Sequence, residues 1–580
     1  MAEPPVHVII DGREVEVPRG TLVIEAAKQA GVEIPVFCYH PKLKPVGACR
    51  MCLVDIEKMP RLQTACTTPV AEGMIVHSAN DRARSAQKGI IELLLANHPL
   101  DCPICDKGGE CPLQDNTFTF GLGTSRYGEP KRRLAKALPL SDRIVLDRER
   151  CIMCYRCVRF QDEIAGDQAL AAVERAGTTQ IGVLEGETFD SPFSGNTIDL
   201  CPVGALLSRQ YRFRARPWDL QRAPSVCVGC AVGCNVELHA RDQALQRMVP
   251  RENMAVNNEW LCDYGRFDSL PLGIERARQA AVDGSPVSWS VALGRAAELL
   301  RSDSCEIVAA PSITNEALAA LRKLSAGLGA PLGVWPARTG RVRGSIEDLV
   351  ASKTIILLDF DVWRELPVLA LRIREALAAG GRLYFVGSGS NGLRRDTAAT
   401  YGSVEELLQA FASPELASRF TAPRPEPSTG AGGDPRRSYG PPAPVSVLGG
   451  GAEDLAQRLE ATGMVGEPPK AANGYAMAEL PAANFSAETL LLVGNEDWPS
   501  LNGKRTVQLR WTPAAGDVVL PMTHPYEQSG TITNLEGRVQ QLQAGGKLAG
   551  DARPDWAAVA DLARALGLTP AEEERQAAIA

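Results

Sequence analysis

The cysteines of this 580-residue chain are concentrated in one part of it. Fifteen of the sixteen lie between Cys38 and Cys262, and the remainder of the chain contains only Cys305. The first residues, MAEPPVHVIIDGREVEV, lack the basic segment and apolar run of an export signal. We therefore expect a reducing compartment, where closely spaced cysteines bind metal and do not form disulfides. The sequence predicts a metal-rich N-terminal half and a metal-poor C-terminal half.

The overall composition is that of a soluble globular protein, with 45% hydrophobic and 23% charged residues. Its length predicts about three to five domains. No segment offers eighteen uninterrupted apolar residues, so we expect a cytoplasmic protein that meets a membrane only through partner proteins. The net charge of -7 argues against a nucleic-acid partner, because binding to phosphates requires a positive surface.

The first cysteine group has the spacing C-x10-C-x2-C-x13-C, which is similar to a [2Fe-2S] ferredoxin except for its longer first gap. The preceding HVIIDGREVEV alternates about Asp11-Gly12 and predicts a β-hairpin. TLVIEAAKQAG then predicts a helix with Thr21 as N-cap and Gly31 at its end. Hairpin, helix and cysteine loop follow the order of a β-grasp ferredoxin, with a four-thiolate structural zinc site as the alternative. The predicted ligands are Cys38, Cys49, Cys52 and Cys66.

Two further cysteine groups are complete sets of four. CIMCYRC is the C-x2-C-x2-C run of a cubane [4Fe-4S] site, whose fourth ligand is normally a Cys-Pro. Gln161 stands where a two-cluster ferredoxin has that cysteine, and the next Cys-Pro is Cys201-Pro202. SVCVGCAVGC with EWLC gives C-x2-C-x3-C-x27-C, whereas zinc ribbons usually pair two C-x2-C knuckles. The predicted ligand sets are Cys151, Cys154, Cys157 and Cys201, and Cys227, Cys230, Cys234 and Cys262.

The run NHPLDCPICDKGGECPLQD, residues 97–115, holds only three cysteines where a cluster requires four ligands. The preceding DRARSAQKGIIELLLANHP predicts an amphipathic helix with Ala83, Ala86, Ile90 and Leu94 along one side. Pro99 biases the residue before it, His98, out of the helical region. His98 is thus placed where a helix ends and a ligand loop begins.

Imidazole replaces thiolate as an iron ligand in Rieske centres, so a histidine is a chemically reasonable fourth ligand. Cys305 is remote in the sequence and has apolar neighbours, and His98 is the nearest soft ligand. A simple helix-terminal histidine and a Cys3His zinc site are the alternatives. The predicted [4Fe-4S] ligand set is His98, Cys102, Cys105 and Cys111. The adjacent Lys107-Gly108-Gly109 is predicted to offer backbone donors to cluster sulfides, with an ordinary turn glycine at Gly108 or Gly109 as the alternative.

Taken together, the four ligand sets over residues 1–270 resemble the large iron-sulfur subunit of bacterial NADH-quinone oxidoreductase, respiratory complex I. That resemblance implies one [2Fe-2S] and three [4Fe-4S] clusters that relay electrons from a flavin (FMN, NADH-binding) subunit toward quinone, without a separate substrate site. The cluster at Cys227 to Cys262 would lie off the main relay. The resemblance also implies that the other peripheral-arm subunits are partners. It implies a peripheral location on the cytoplasmic side of the bacterial inner membrane.

The C-terminal half resembles the molybdopterin-dependent oxidoreductase fold. CEIVAAPSITNEALAAL, KTIILLDFD and GRLYFVGSGSN predict short buried strands that lead into helices, as in α/β layers with parallel sheets. The segment Asp517 to Gln540 is similar to a late signature of that family.

Cys305 precedes the first strand, the wrong place for a molybdenum ligand, and is predicted to be a core residue. Val386 to Gly392 lacks the G-x-G-x-x-G spacing of a phosphate loop, so we expect no molybdopterin.

These interpretations give a multidomain α+β and α/β protein: a β-grasp ferredoxin, [4Fe-4S] domains, and a molybdopterin-oxidoreductase-like α/β domain without molybdenum. The predicted domains are 1–80, 81–121, 122–219, 220–276 and 277–580, with a flexible insertion at 421–444 that is rich in proline, glycine and serine. The alternative functions are a molybdopterin-dependent formate dehydrogenase and a diaphorase subunit of an NAD-linked hydrogenase. An iron-only hydrogenase would need further C-terminal cysteines, and a zinc-bearing scaffold would have no redox role.

Overall fold

The computed structural model describes residues 4–184, 186–301, 304–336, 340–389, 392–412, 444–459 and 461–570. It divides into two compact units, Met1–Leu220 and Gln221–Ala580. The predicted flexible insertion at 421–444 lies outside the described residues except for residue 444. The boundaries of the five predicted domains stay predictions.

The N-terminal unit contains short strands and helices joined by long ligand-bearing loops. Its strands are β1 Val6–Ile10, β2 Arg13–Val17, β3 Leu53–Ile56, β4 Gln63–Thr64, β5 Met74–His77, β6 Leu138–Pro139, β7 Ile144–Leu146, β8 Ala171–Val173, β9 Gln180–Gly182 and β10 Leu206–Ser208. Its α-helices are α1 Val23–Gln29, α2 Asp81–Asn97, α3 Pro112–Phe120, α4 Arg156–Arg159 and α5 Asn196–Leu200, and a π-helical turn spans Phe160–Ala165.

The first sheet has the strand order β2-β1-β5-β3-β4, with β1 antiparallel to β2 and parallel to β5. Asp11 and Gly12 form the predicted hairpin turn, with φ of 47° and 80°. Helix α1 begins one residue later than predicted, because Leu22 and not Thr21 is its N-cap. The cause is tertiary: Leu22 bridges Pro69, and the Thr21 carbonyl accepts from the Val70 amide at 2.8 Å.

Helix α2 ends at Asn97, and His98 follows it in an extended conformation (φ -64°, ψ 128°), as Pro99 predicts. The predicted buried side of this helix is wrong in part. The fully buried residues are Ala83, Gln87 and Ile91, while Ala86, Ile90 and Leu94 are only half-buried. Gln87 determines this orientation, because its amide donates to the carbonyls of Leu53 and Ser78, each at 3.2 Å.

The C-terminal unit begins with an antiparallel sheet and continues into larger layered sheets. Its strands are β11 Gln221–Val226, β12 Asn235–Arg241, β13 Ala244–Pro250, β14 Ala281–Val282, β15 Ser285–Pro286, β16 Cys305–Ala309, β17 Leu332–Val334, β18 Val342–Arg343, β19 Thr354–Leu358, β20 Arg382–Val386, β21 Thr397–Tyr401, β22 Val445–Gly449, β23 Val465–Gly466, β24 Thr489–Val493, β25 Arg505–Arg510, β26 Val518–Pro521, β27 Gly530–Thr533 and β28 Val539–Leu542.

The helices of this unit are α6 Trp289–Leu300, α7 Asn315–Leu328, α8 Ile346–Ala351, α9 Val362–Glu365, α10 Pro367–Ala378, α11 Val404–Phe411, α12 Ala452–Arg458 and α13 Asp555–Ala565, and a π-helical turn spans Tyr264–Asp268. One described sheet has the order β15-β14-β26-β25-β24-β16-β17, and another has the order β18-β23-β22-β19-β20-β21. Their central strands pair in parallel, which confirms the predicted α/β layers.

Cys305 is the first residue of β16 and is buried in the core beside that strand, as the sequence predicts for a core cysteine. In the described part of the chain, no helix is both long and apolar enough to cross a bilayer.

Candidate metal centres

The thiols of Cys38, Cys49, Cys52 and Cys66 are buried together at the end of the first sheet, and Cys52 and Cys66 belong to its core. Hydrogen bonds link the four thiols in one run, from Cys49 to Cys38, from Cys38 to Cys66 and from Cys66 to Cys52. The Cys49 thiol, followed by that of Cys66, lowers the pKa of Cys38, and the Cys66 thiol lowers the pKa of Cys52. The Cys38 amide also donates to Cys49 Sγ at 3.4 Å. Four buried thiols in one connected group fit a binuclear centre, whose two irons take two thiolates each.

The loop that carries Cys102, Cys105 and Cys111 follows helix α2 and leads into α3. Cys105 and Cys111 are buried, whereas Cys102 is exposed. Burial raises the pKa values of Cys105 and Cys111, and each thiol has another cysteine of this loop as an electrostatic neighbour. The structure thus brings the three thiols of this group together.

His98 presents a buried ring nitrogen, Nδ1, that has no hydrogen-bond partner in the described structure. Burial, with Arg150 and Lys131, lowers the pKa of His98 to about 4, so the ring is neutral at physiological pH. Arg150 is also an electrostatic neighbour of Cys105, which places the imidazole and this thiol around one guanidinium. A neutral imidazole with an orphaned nitrogen fits a metal ligand, because a buried polar atom otherwise costs about 1–3 kcal/mol.

The predicted role of Gly108 and Gly109 as donors to cluster sulfides is wrong. The Gly108 amide donates to the Cys105 carbonyl at 2.9 Å, and the Gly109 amide donates to Gln114 Oε1 at 3.0 Å. Other amides reach the thiols of this loop: that of Lys107 donates to Cys105, and those of Leu113 and Gln114 donate to Cys111. Position 109 requires a glycine for two other reasons. Its φ of 93° is left-handed, and the Trp218 ring lies where a Cβ would be.

The thiols of Cys151, Cys154, Cys157 and Cys201 line one cavity together with aliphatic side chains such as Leu146. Cys151, Cys154 and Cys201 each act electrostatically on Cys157. The ligand run is shaped by Met153 and Tyr155, whose φ values of 49° and 59° are left-handed. Backbone amides consequently donate to the thiols of Cys151, Cys154 and Cys157. Buried thiols held by amide donors, in an apolar cavity, fit a cubane cluster.

In the C-terminal unit, Cys227, Cys230, Cys234 and Cys262 are all buried. Cys227, Cys230 and Cys262 act electrostatically on Cys234. The Gly229 amide donates to Cys227 Sγ and the Gly265 amide donates to Cys262 Sγ, each at 3.4 Å. A Cβ on Gly265 would lie 2.9 Å from Cys227 Sγ, so a glycine is needed beside this group.

A buried tyrosine from the late signature segment also reaches this fourth site. Tyr526 Oη donates to Cys227 Sγ at 3.8 Å, accepts from the Val228 amide at 3.1 Å, and lies 2.8 Å from Ser269 Oγ. Its side chain is fully buried. Sequence reasoning identified this segment only by its family likeness and missed the contact with a ligand.

We expect Tyr526→Phe to lower the reduction potential of the fourth cluster, because it removes a donor that stabilises negative charge on Cys227. A hydrogen bond worth about 1 kcal/mol corresponds to roughly 40 mV for one electron. EPR-monitored redox titration measures the shift, and Tyr401→Phe, in a half-buried strand of the same unit, is the control. An unchanged potential with the cluster intact would contradict this role.

Within the described residues, no three or more His, Cys, Asp or Glu side chains are arranged to hold a single metal ion. A [4Fe-4S] cube makes a different demand, because its four protein ligands bind four different irons. Burial, contacts between thiols, amide donors and the orphaned His98 nitrogen fit iron-sulfur clusters, and the ligand assignments remain a proposal.

Family models match five segments of the chain. A 2Fe-2S iron-sulfur cluster binding domain matches residues 3–81, and an NADH-ubiquinone oxidoreductase-G iron-sulfur binding region matches 87–126. The ferredoxin-like domain of NADH-quinone oxidoreductase subunit 3 matches 141–207, and an NDSU1/NuoG-like 4Fe-4S domain matches 220–269. A molybdopterin oxidoreductase model matches 506–565. Each predicted ligand set falls within one matched iron-sulfur segment, and the mixed fold class is confirmed.

Curated relatives cover nearly the whole chain. The G subunit of the NADH-quinone oxidoreductase of Streptomyces coelicolor is 35% identical over 94% of this chain and 77% of that protein. Its Rickettsia felis counterpart is 33% identical over 96% of this chain and 87% of that protein. The chain belongs to the G-subunit family of NADH-quinone oxidoreductases. A further relative is the mitochondrial NADH-ubiquinone oxidoreductase 78 kDa subunit of Neurospora crassa, 32% identical over 97% of this chain and 81% of that protein.

Membership of this family confirms the resemblance noted from the sequence and does not favour the formate dehydrogenase or diaphorase alternatives. One chain from a crystal structure of an NAD+-reducing [NiFe]-hydrogenase in the H2-reduced state is 29% identical. That match covers 36% of this chain and 90% of the hydrogenase chain, and its TM-score of 0.33 is too low to support an argument.

Proposed function

We propose that the chain is the iron-sulfur electron-transfer subunit of an NADH-quinone oxidoreductase, complex I. The observation that carries the proposal is the presence of four separate ligand groups with mostly buried thiols, each within its own iron-sulfur segment of a G-subunit family member. The chain would take electrons from the flavin subunit and pass them toward quinone. Its catalytic contribution is to an oxidoreductase complex, and it would have no independent substrate site.

The ligand groups would hold one [2Fe-2S] and three [4Fe-4S] clusters, which supply one-electron redox chemistry when bound. The chain's own work is to position them: thiols are buried, amides donate to ligand sulfurs, and aliphatic side chains exclude water. The proposed ligands are Cys38, Cys49, Cys52 and Cys66 for the binuclear centre, and His98, Cys102, Cys105 and Cys111, then Cys151, Cys154, Cys157 and Cys201, then Cys227, Cys230, Cys234 and Cys262 for the cubanes.

A C-terminal unit without molybdopterin is part of the proposal. Ligands of parallel α/β sheets bind at the carboxyl ends of the strands. There the Gly389 amide donates to Asp359 Oδ1 at 3.2 Å and the Gly392 amide to Asp361 Oδ1 at 3.3 Å. The chain's own carboxylates thus occupy donors that a phosphate group would use and add negative charge beside them. Residues 390 and 391 of the glycine-rich segment lie outside the described residues.

The partners would be the flavin subunit and the other peripheral-arm subunits of complex I. In that arrangement the chain reaches the membrane only through the complex, on the cytoplasmic side of a bacterial inner membrane. The relatives' names, which are those of NADH-quinone and NADH-ubiquinone oxidoreductase subunits, support this assembly.

Anaerobically purified full-length chain is expected to contain about fourteen irons and to show four EPR-active clusters after reduction, from one binuclear and three cubane centres. Iron and zinc are counted by elemental analysis, and low-temperature EPR separates the cluster types. Cys305→Ser is the matched control, since this cysteine is outside all four groups, and its iron content should equal that of the wild type. A colourless protein that contains only zinc would refute the proposed function.

A further inference from the structure

Two arginines of helix α4 extend from one proposed cluster site to the backbone of another within the N-terminal unit. Arg156 lies between the ligands Cys154 and Cys157. Its Nη2 donates to the Tyr39 carbonyl, and its Nη1 donates to the Leu200 carbonyl at 3.4 Å. Tyr39 directly follows the ligand Cys38, and Leu200 directly precedes the ligand Cys201. One guanidinium therefore joins the ligand segment of the binuclear site to that of the cubane site that includes Cys201.

The electrostatic surroundings of Arg156 also come from both sites. Cys38 belongs to the binuclear group and Cys154 and Cys201 to the cubane group, and all three act on its guanidinium. Burial is the largest effect on this side chain and lowers its pKa, although an arginine remains charged. Its Nε is buried without a hydrogen-bond partner in the described structure. Such a cation acts through a low effective dielectric, so its influence on nearby redox groups is screened less than at the surface.

We propose that Arg156 is a positioning residue that holds the Cys38 loop against the Cys201 segment and raises the reduction potentials of the two clusters together. The inference rests on the proposed function, because it presupposes both clusters. Reduction adds a negative charge to a cluster, and a fixed neighbouring cation stabilises that charge. Since one cation serves both sites, its removal makes both clusters harder to reduce.

Arg159 provides an internal contrast, because its hydrogen bonds go only to the binuclear side. Its guanidinium donates to the carbonyls of Cys38 and Lys44, and the Lys44 amide donates to Glu163 Oε2 at 2.8 Å. No bond from Arg159 to the Cys201 segment is present in the described structure. Removal of its charge should therefore affect the binuclear centre more than the cubane centre.

The test compares full-length wild type, Arg156→Gln, Arg156→Lys, Arg159→Gln and the exposed control Arg209→Gln, whose side chain pairs at the surface with Asp142. EPR-monitored redox titration gives the midpoint potential of each cluster, and elemental analysis gives the iron content. The cubane signal is assigned as the one that a Cys154→Ser chain lacks. Arg156→Gln should shift both midpoints to lower values, Arg159→Gln mainly that of the binuclear centre, and Arg209→Gln neither.

Arg156→Lys keeps the cation and should return both potentials toward wild type. If Arg156→Gln loses iron, the Arg156→Lys chain provides the test. Wild-type iron content and potentials in that chain support the proposal, whereas lowered potentials of both clusters overturn it. Unchanged potentials in an iron-replete Arg156→Gln chain also overturn it, as does a shift of one cluster alone. These results differ from failure of the proposed function, in which the wild type itself would lack the iron and the EPR signals.

Discussion

His98→Ala is expected to remove one [4Fe-4S] cluster, about four irons per chain, and to leave the other three clusters in place. Three thiolates would remain in the loop after α2, and the cluster would lose its proposed fourth ligand. The imidazole is neutral and has a buried nitrogen without a partner in the described structure. The substitution therefore removes a cluster ligand and does not break an ion pair. His98→Cys should retain the iron with a lower potential, since a thiolate brings negative charge where imidazole brings none.

Iron counts and low-temperature EPR spectra of the two variants check this prediction. The matched control is His77→Ala in strand β5, where an exposed imidazole lies 3.1 Å from Glu57 Oε1. That variant should keep the iron content of the wild type. Wild-type iron and spectra in both His98 variants would remove this residue from the ligand set.

Local sequence signals predicted the elements that depend on neighbours in the chain. The Asp11-Gly12 turn, the end of α2 before Pro99 and the buried strands of the α/β layers are all present. These features follow from φ preferences, steric limits next to proline and runs of apolar residues, all of which are local. The grouping of ligands was predictable for the same reason, because three ligands of each cubane site are close in sequence.

The errors arose where a tertiary contact competes with a local preference. Thr21 has the better capping side chain, yet its carbonyl pairs with Val70, so the helix begins after Leu22. Gln87 occupies the buried side of α2 because it has carbonyl partners on the ferredoxin sheet, which hydrophobic periodicity does not reveal. The Gly108 amide satisfies an acceptor within its own loop, and the Gly109 amide satisfies a side chain of the following helix α3. Composition and spacing contain no information about these partners.

Some residues around the ligands were not identifiable from sequence, since their contacts join distant segments. Tyr526 reaches Cys227 from almost three hundred residues away in the chain. Arg156 reaches the Tyr39 carbonyl across 117 positions. The only available signal was their presence within recognisable motifs, which gives no partner. Gly204, three residues after Cys201, is the third example, and it has the most specific consequence.

Gly204→Ala is expected to abolish the cluster at His98 although Gly204 follows Cys201, a proposed ligand of a different cluster. A Cβ on Gly204 would overlap Cys105 Sγ and would lie 3.4 Å from Lys107 Cβ. The segment is held close to this loop, because Arg150 Nη1 donates to the Gly204 carbonyl at 3.3 Å and Cys111 Sγ lies 3.7 Å from the Pro202 carbonyl oxygen. The added methyl group must therefore displace the Cys105 thiol or separate the two ligand segments.

Gly204 does not have a left-handed φ, so alanine is compatible with its backbone and the effect isolates the contact with Cys105. We expect a loss of about four irons and of the EPR signal that His98→Ala also removes. Gly89→Ala within α2 is the matched control, since no atom lies within 4 Å of its added Cβ. It should keep all the iron and favour the helix by roughly 0.5–1 kcal/mol. A Gly204→Ala chain with wild-type iron and spectra would mean that Cys105 is not held against this segment, and the close packing of the two cubane sites would be wrong.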